Sequence, residues 1–143
     1  MSQSECSYGQ GDCSYKMAGE LQGITQLVDQ FYQNMEAFPE AKTIRDMHPK
    51  DLTESRKKLT YFLSGWLGGP SLYAQHYRPI GIPAVHRHLD VGVEEMDAWL
   101  YCMKEAIACQ SYEKAFGVYL IEQLRVPAER IRHVCTARER SGR

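Results

Sequence analysis

The sequence predicts an all-α fold, and three observations carry that prediction. Apolar residues recur at steps of three and four along several stretches, no stretch alternates convincingly with a period of two, and no internal repeat is visible. In the first such stretch Ile24, Leu27, Val28, Phe31 and Met35 make one helical face that ends before Pro39, and Tyr32, eight residues after Ile24, shares it. The segment "PEAKTIRDMHP" forms a short helix between Pro39 and Pro49, which leaves His48 at a corner. A second long helix fits "DLTESRKKLTYFLSGWLGG", with Leu52, Ser55, Leu59, Phe62, Leu63 and Trp66 on one stripe, Asp51 as its cap and Gly68–Gly69 as its stop. Loop-like "PSLYAQHYRPIG" follows. "VEEMDAWLYCMKEAIA" carries a further stripe of Met96, Trp99, Leu100, Met103 and Ile107. A last helical region from about Ser111 to Arg138 turns Phe116, Tyr119, Leu120 and Leu124 inward and is expected to break or kink at Pro127.

Composition bounds what such a chain does. At 143 residues, 43% of them hydrophobic and 10% aromatic, it is long enough for one compact domain with its own core. A formal net charge of −1 and a pI near 6.5 give no electrostatic reason to expect nucleic acid or an anionic membrane as partner. No apolar run reaches bilayer length, and "MSQSECSYGQGDCSYK" lacks the basic-then-apolar order of a secretory signal, so a cytoplasmic location is expected. Five cysteines at irregular spacing, with no CxxC pair, suggest neither a disulfide framework nor a structural zinc. Cys102, Cys109 and Cys135 read as reduced helical thiols, at least two of them in the core. Cys6 and Cys13 sit in a Gly/Ser-rich stretch, and residues 1–18 are expected to be a flexible tail ahead of a domain over 19–143.

The stretch "IPAVHRHLDVG" holds two histidines in a short apolar run. Pro83 suits the first position of a helix, where its missing N–H would be unpaired anyway. On a helix over 83–90, His86 and His88 point about 200° apart and cannot share one metal ion, whereas on a strand they would share a face. His86 lies one turn after Ile82 and one turn before Leu89, on the apolar side; His88, beside Arg87, falls toward solvent. A histidine on an apolar face is by itself more often a hydrogen-bonded core residue than a ligand, so this pattern alone leaves its role open.

Taken together, "FYQNM", "MHP", "WLGGPSLY" and a histidine thirteen residues ahead of the tryptophan of "DAWLYCM" resemble, in order and spacing, the group II truncated haemoglobins. The resemblance runs from about Gly19 to Arg138. It implies a globin-like, shortened two-over-two helical sandwich around a haem b, with His86 as the axial ligand of the iron and His88, eleven residues ahead of Trp99, as second choice. It further implies dioxygen and other diatomic ligands such as CO and NO as partners, with oxygen binding or transport as the role and an unidentified reductase as a further partner.

Carried onto this chain, the resemblance makes Tyr32 and Trp99 hydrogen-bond donors to the bound ligand, each a polar tip on an apolar body suited to a buried site. His48, at a corner where globins usually place phenylalanine or tyrosine, adds a third donor that titrates near neutral pH. In the ferric protein His48 or Tyr32 is a candidate sixth ligand. Ser55, where many globins carry a distal histidine or glutamine, leaves a more open route inward. Leu59 and Phe62 line the distal wall, Leu89 and Val91 the proximal side, Lys58 faces a propionate, and Tyr73 and Val85 complete the set of haem contacts. The chain departs from the family's pattern in having Val85 where a basic residue is common and "RPIGIP" in place of "HPRLR", so Arg78 or His76 would have to take over propionate contacts.

The same donors would suit reaction with nitric oxide or peroxide. No acid–base pair or nucleophile motif points to a hydrolase or transferase, and no Gly-rich loop after a strand suggests a nucleotide site. The competing classes are a cofactor-free helical interaction module, in which Tyr32, His48 and Trp99 are plain core, and a peroxidase-like haem enzyme.

Overall fold

The computed structural model of the chain describes residues 8–76 and 92–141, without the side chains of 74, 76 and 133–141. In order these form α1 (Cys13–Met17), α2 (Glu20–Ala37), a 3₁₀ turn (Pro39–Ala41), α3 (Lys42–Asp46), α4 (Thr53–Trp66), α5 (Leu72–His76), α6 (Val93–Ala108) and α7 (Lys114–Ser141). No strand occurs among the described residues, as the absence of period-two alternation predicts.

Helix α2 is the hub, packed against α4 on one side and α6 on the other, while α7 packs on the far side of α6. Its inward residues Ile24, Leu27, Val28, Phe31, Tyr32 and Met35 are all buried. Fully burying apolar side chains of this size contributes about 1.5–3 kcal/mol each, which is why the hub holds the other helices in place. A buried polar link adds specificity: Asn34 Nδ2 donates to the Cys102 carbonyl at 3.0 Å, joining α2 to α6. The helix ends where Phe38 turns extended ahead of Pro39.

Two ends of α4 explain its length. The Asp51 carboxylate accepts from the Thr53 backbone N–H at 2.9 Å and the Thr53 hydroxyl at 2.7 Å, and these bonds hold its carboxyl below the usual range. At the other end Gly69 N donates to the Ser64 carbonyl and Gly68 N to the Gly65 carbonyl, a Schellman closure with Gly68 at φ +96°. Helix α6 opens with the Glu95 carboxylate accepting from Gly92 N at 2.8 Å, half of a capping box. Pro127 lies inside α7 without ending it, so of the break or kink expected there the break does not occur: the helix runs on to Ser141.

Residues 8–18 differ from the composition-based expectation of a flexible tail. They form a turn and α1, with Cys13, Ser14 and Ala18 buried against the body. Tyr15 N donates to the Leu67 carbonyl at 3.0 Å, Tyr112 donates its hydroxyl to the Ala18 carbonyl at 3.1 Å, and the Tyr8 ring packs against Phe116 and Tyr119. The physical reason is tertiary: a Cβ on Gly69 would collide with the Tyr15 ring and one on Gly68 with the Gly11 carbonyl, so the glycine pair makes the seat for this segment. Cys13 is disulfide-bonded, where the sequence suggested no disulfide framework; Cys102 and Cys109 are free, the first buried and the second exposed.

Candidate functional site

Three of the residues singled out in the sequence come together around a fourth that was not. The Tyr32 ring meets His48 edge-on at 5.7 Å between centroids, Phe31 meets Tyr32 at 4.9 Å, and Phe31 meets Trp99 at 5.1 Å. His48, Tyr32, Phe31 and Trp99 thus form a continuous row from the α3 corner through α2 to α6. Phe31 is fully buried and couples the outer members, a role its place on the apolar face of α2 conceals, because it reads there as ordinary core.

Tyr32 is 4% exposed, and its hydroxyl makes no hydrogen bond to a described residue. Burial pushes its phenol far above the ordinary tyrosine range, and the Arg56 charge opposes that shift in part, so the group is a neutral O–H donor at any physiological pH. His48 is half-buried, and its Nδ1 lies 2.7 Å from the Ile44 carbonyl. A carbonyl only accepts, so Nδ1 carries the proton; Nε2 of the neutral ring then has a lone pair and becomes a donor only when the ring is protonated. Trp99 is half-buried on α6.

Helix α4 presents two faces here. Leu52, Thr60, Leu63 and Leu67 are buried, whereas Ser55, Leu59, Phe62 and Trp66, spaced four, three and four apart, are only half-buried. The sequence reading merged these into one stripe; about 100° per residue separates them into adjacent rows. Phe62 and Trp66 stack at 6.2 Å on the second row. Lys58 is exposed beside it, and Tyr73 is half-buried on α5, which packs on α4. His86, His88, Val85, Leu89, Val91 and Arg78 lie outside the described residues, as does the side chain of His76. No group of three or more His, Cys, Asp or Glu poised for a bare metal ion occurs among the described residues. A separate hollow of about 290 Å³ lies between the N-terminal segment, the end of α4 and α7, lined by Ser14, Trp66, Tyr119 and Gln123, and does not include Tyr32, His48 or Trp99.

Comparison with known proteins places this arrangement in a class. A family model described as bacterial-like globin matches residues 14–131. The chain is 35% identical over 128 residues to group 2 truncated hemoglobin YjbI of Bacillus subtilis (strain 168), covering 90% of this chain and 94% of that one. Among solved structures it superposes on the cold-adapted truncated hemoglobin of the Antarctic marine bacterium Pseudoalteromonas haloplanktis TAC125 with a TM-score of 0.77 and 29% identity, covering 82% of this chain and 95% of that one. The truncated oxygen-avid haemoglobin from Bacillus subtilis matches with a TM-score of 0.72 and 34% identity over 82% and 97% of the two chains. The fold is therefore that of the truncated globins. This chain belongs to the bacterial-like globin family, among the group II truncated haemoglobins.

That family implies a haem cofactor, and the described residues fit one. A flat, largely apolar ring calls for a broad apolar wall with few polar groups on the ligand side. Half-buried Leu59 and Phe62 have the first character, with the small Ser55 one turn before Leu59, and buried Tyr32 has the second. No described helix is long and apolar enough to cross a membrane.

Proposed function

We propose that this chain binds haem b through His86 and takes dioxygen, and also CO or NO, at the open side of the iron. The observation that carries the reading is the Tyr32 phenol: buried, neutral, without a hydrogen-bond partner among the described residues, and held in a row with His48, Phe31 and Trp99. Bound haem supplies an iron atom with a free coordination position, and the protein decides what stays there.

With haem in place, Tyr32 would donate its O–H to the partial negative charge of a dioxygen ligand. The hydroxyl costs little to commit, because it gives up no described partner. Packing against Phe31 on one side and His48 on another limits the phenol to one orientation. Trp99 adds an indole N–H from α6. His48 contributes through its ring edge and, when protonated, through Nε2. Leu59 and Phe62 keep bulk water off the ligand, while Ser55 leaves the way in wider than a large side chain would. Lys58 offers a cation to a propionate, and Tyr73, Val85, Leu89 and Val91 complete the contacts with the ring. The same donors suit turnover of nitric oxide or peroxide with electrons from a reductase. The proposal includes a cytoplasmic location, where the Cys13 disulfide would be under reducing pressure.

Absorption spectra of the purified protein with added haem, reduced and exposed to carbon monoxide, test the reading in wild type and His86→Ala side by side. A sharp carbonyl Soret band in the wild type, altered in the variant, supports His86 ligation. A band untouched by the substitution moves the ligand to His88, and a wild type that takes up no haem overturns the reading in favour of a helical packing module.

A further inference from the structure

Arg56 occupies a position that its chemistry does not suit. It follows Leu52 by four residues and precedes Thr60 by four and Leu63 by seven, so its helical position lines up with those buried residues although its own side chain is only partly covered. Its Nε is buried and has no hydrogen-bond partner among the described residues. The nearest carboxylate, Asp29 on α2, lies 3.9 Å from Nε, too far for a hydrogen bond, and both side chains of this pair keep about half their surface in solvent. A well-paired structural arginine would not leave its Nε in that state. Asp29 stands three residues, about one turn, before Tyr32 on α2, so the Arg56 side chain that approaches Asp29 comes against the stretch of α2 that carries the phenol, and a positive charge there works against the effect of burial on the hydroxyl.

We propose that Arg56 is a positioning residue of the ligand pocket: its guanidinium, with a buried and unpartnered Nε and held against Asp29, which is one turn along α2 from Tyr32, polarises the Tyr32 O–H and so strengthens the hydrogen bond that this phenol donates to a bound ligand. The inference rests on the haem-binding reading above. It adds to that reading a charge that belongs to neither the iron nor the row of rings. A positive charge near a phenol oxygen stabilises the electron-rich form and makes the O–H a better donor. The low effective dielectric around a largely buried tyrosine lets the effect reach through space without direct contact with the ligand.

The test uses full-length protein loaded with haem, in the wild type and in Arg56→Met, Arg56→Lys, Tyr32→Phe and Tyr32→Phe/Arg56→Met forms. The carbon monoxide stretching frequency of the reduced carbonyl form reads the local field, and the dioxygen dissociation rate reads the hydrogen bond. Arg56→Met keeps the length of the stem and removes the charge. It is expected to raise the stretching frequency and to speed dissociation by roughly three- to tenfold, the size of a hydrogen bond weakened but not lost. Arg56→Lys should keep most of the wild-type values, and in the Tyr32→Phe background Arg56→Met should change neither readout by more than about twofold.

A haem-independent readout accompanies these: the Tyr32 Cζ resonance of tyrosine-labelled protein, assigned by its loss in Tyr32→Phe, should shift on Arg56→Met with or without haem. An unchanged stretching frequency and resonance in Arg56→Met overturns the inference. So does a full Arg56→Met effect that persists without the Tyr32 hydroxyl, since the charge would then act on the ligand directly. Failure of the wild type to form a carbonyl complex overturns the haem-binding reading and is seen before any variant is compared.

Discussion

The two rows of α4 are made by one 14-residue helix, yet they end in different states. Leu63 and Leu67 are almost wholly buried against the rest of the protein, while Leu59, Phe62 and Trp66, one step round the helix, remain half-covered. The first row is finished by α2. The second is apolar without being enclosed, and the fold spends large side chains on it all the same. Burial of the first row contributes to the stability of the domain, and the partly covered second row includes the residues proposed to meet the haem, a division that experiment can test.

The largest expected effect sharpens that contrast. Leu63→Ala should destabilise the chain by about 2–5 kcal/mol with or without haem, as a cavity opens in a packed row. Leu59→Ala, by comparison, should cost the haem-free chain about 1 kcal/mol or less and be felt chiefly as faster loss of haem to an acceptor globin. Urea titrations of both variants check this, and equal losses in the haem-free chains would dissolve the distinction.

Next in size is the buried amide. Asn34→Ala removes the side-chain bond that ties α2 to the Cys102 carbonyl, which keeps its own intrahelical partner, and should cost about 0.5–1.5 kcal/mol, readable in the same titrations. Tyr32→Phe is expected to be nearly silent in stability, because the hydroxyl has no described partner to lose, while raising the dioxygen dissociation rate by roughly tenfold or more. Stopped-flow exchange of dioxygen for carbon monoxide measures it, and a stability loss without a rate change would make Tyr32 plain core. The smallest effect is in reactivity. Burial, reinforced by Glu40, pushes the Cys102 thiol up to about 11, so it should stay unmodified by a thiol reagent at pH 8 while exposed Cys109 reacts. Modification of Cys102 should begin only as the pH approaches that value, where its thiolate first forms. Peptide mapping after brief labelling separates the two.

Much of this was legible in the residues. The spacing of Met96, Leu100, Met103 and Ile107 defines α6, and the run from Ile24 to Met35 defines the hub, because each buries one face along its full length. Tyr32, His48 and Trp99 could be named because phenol, imidazole and indole are conspicuous among aliphatic neighbours. What stayed hidden depended on partners distant in sequence. Phe31 looks like any core phenylalanine until Trp99 of α6 is brought against it. Arg56 draws no notice beside Lys57 and Lys58, because only the approach of Asp29 from α2 shows that its Nε is buried and unpartnered. The docking of residues 8–18 was invisible for the same reason: a Gly- and Ser-rich stretch declares no face of its own, and its seat is made by glycines more than fifty residues away.

That seat bears on how the protein should be handled. Tyr15 covers Gly69 and ties its N–H to the Leu67 carbonyl at the closing turn of α4, the helix that carries both rows. A shortened version begun at Gly19, the boundary that composition alone would recommend to anyone designing an expression clone or an N-terminal fusion, would strip that cover and leave the end of α4 to fray toward solvent. Tags and reporters therefore belong upstream of residue 8, and a trimmed chain that holds haem poorly would say more about where it was cut than about the globin itself.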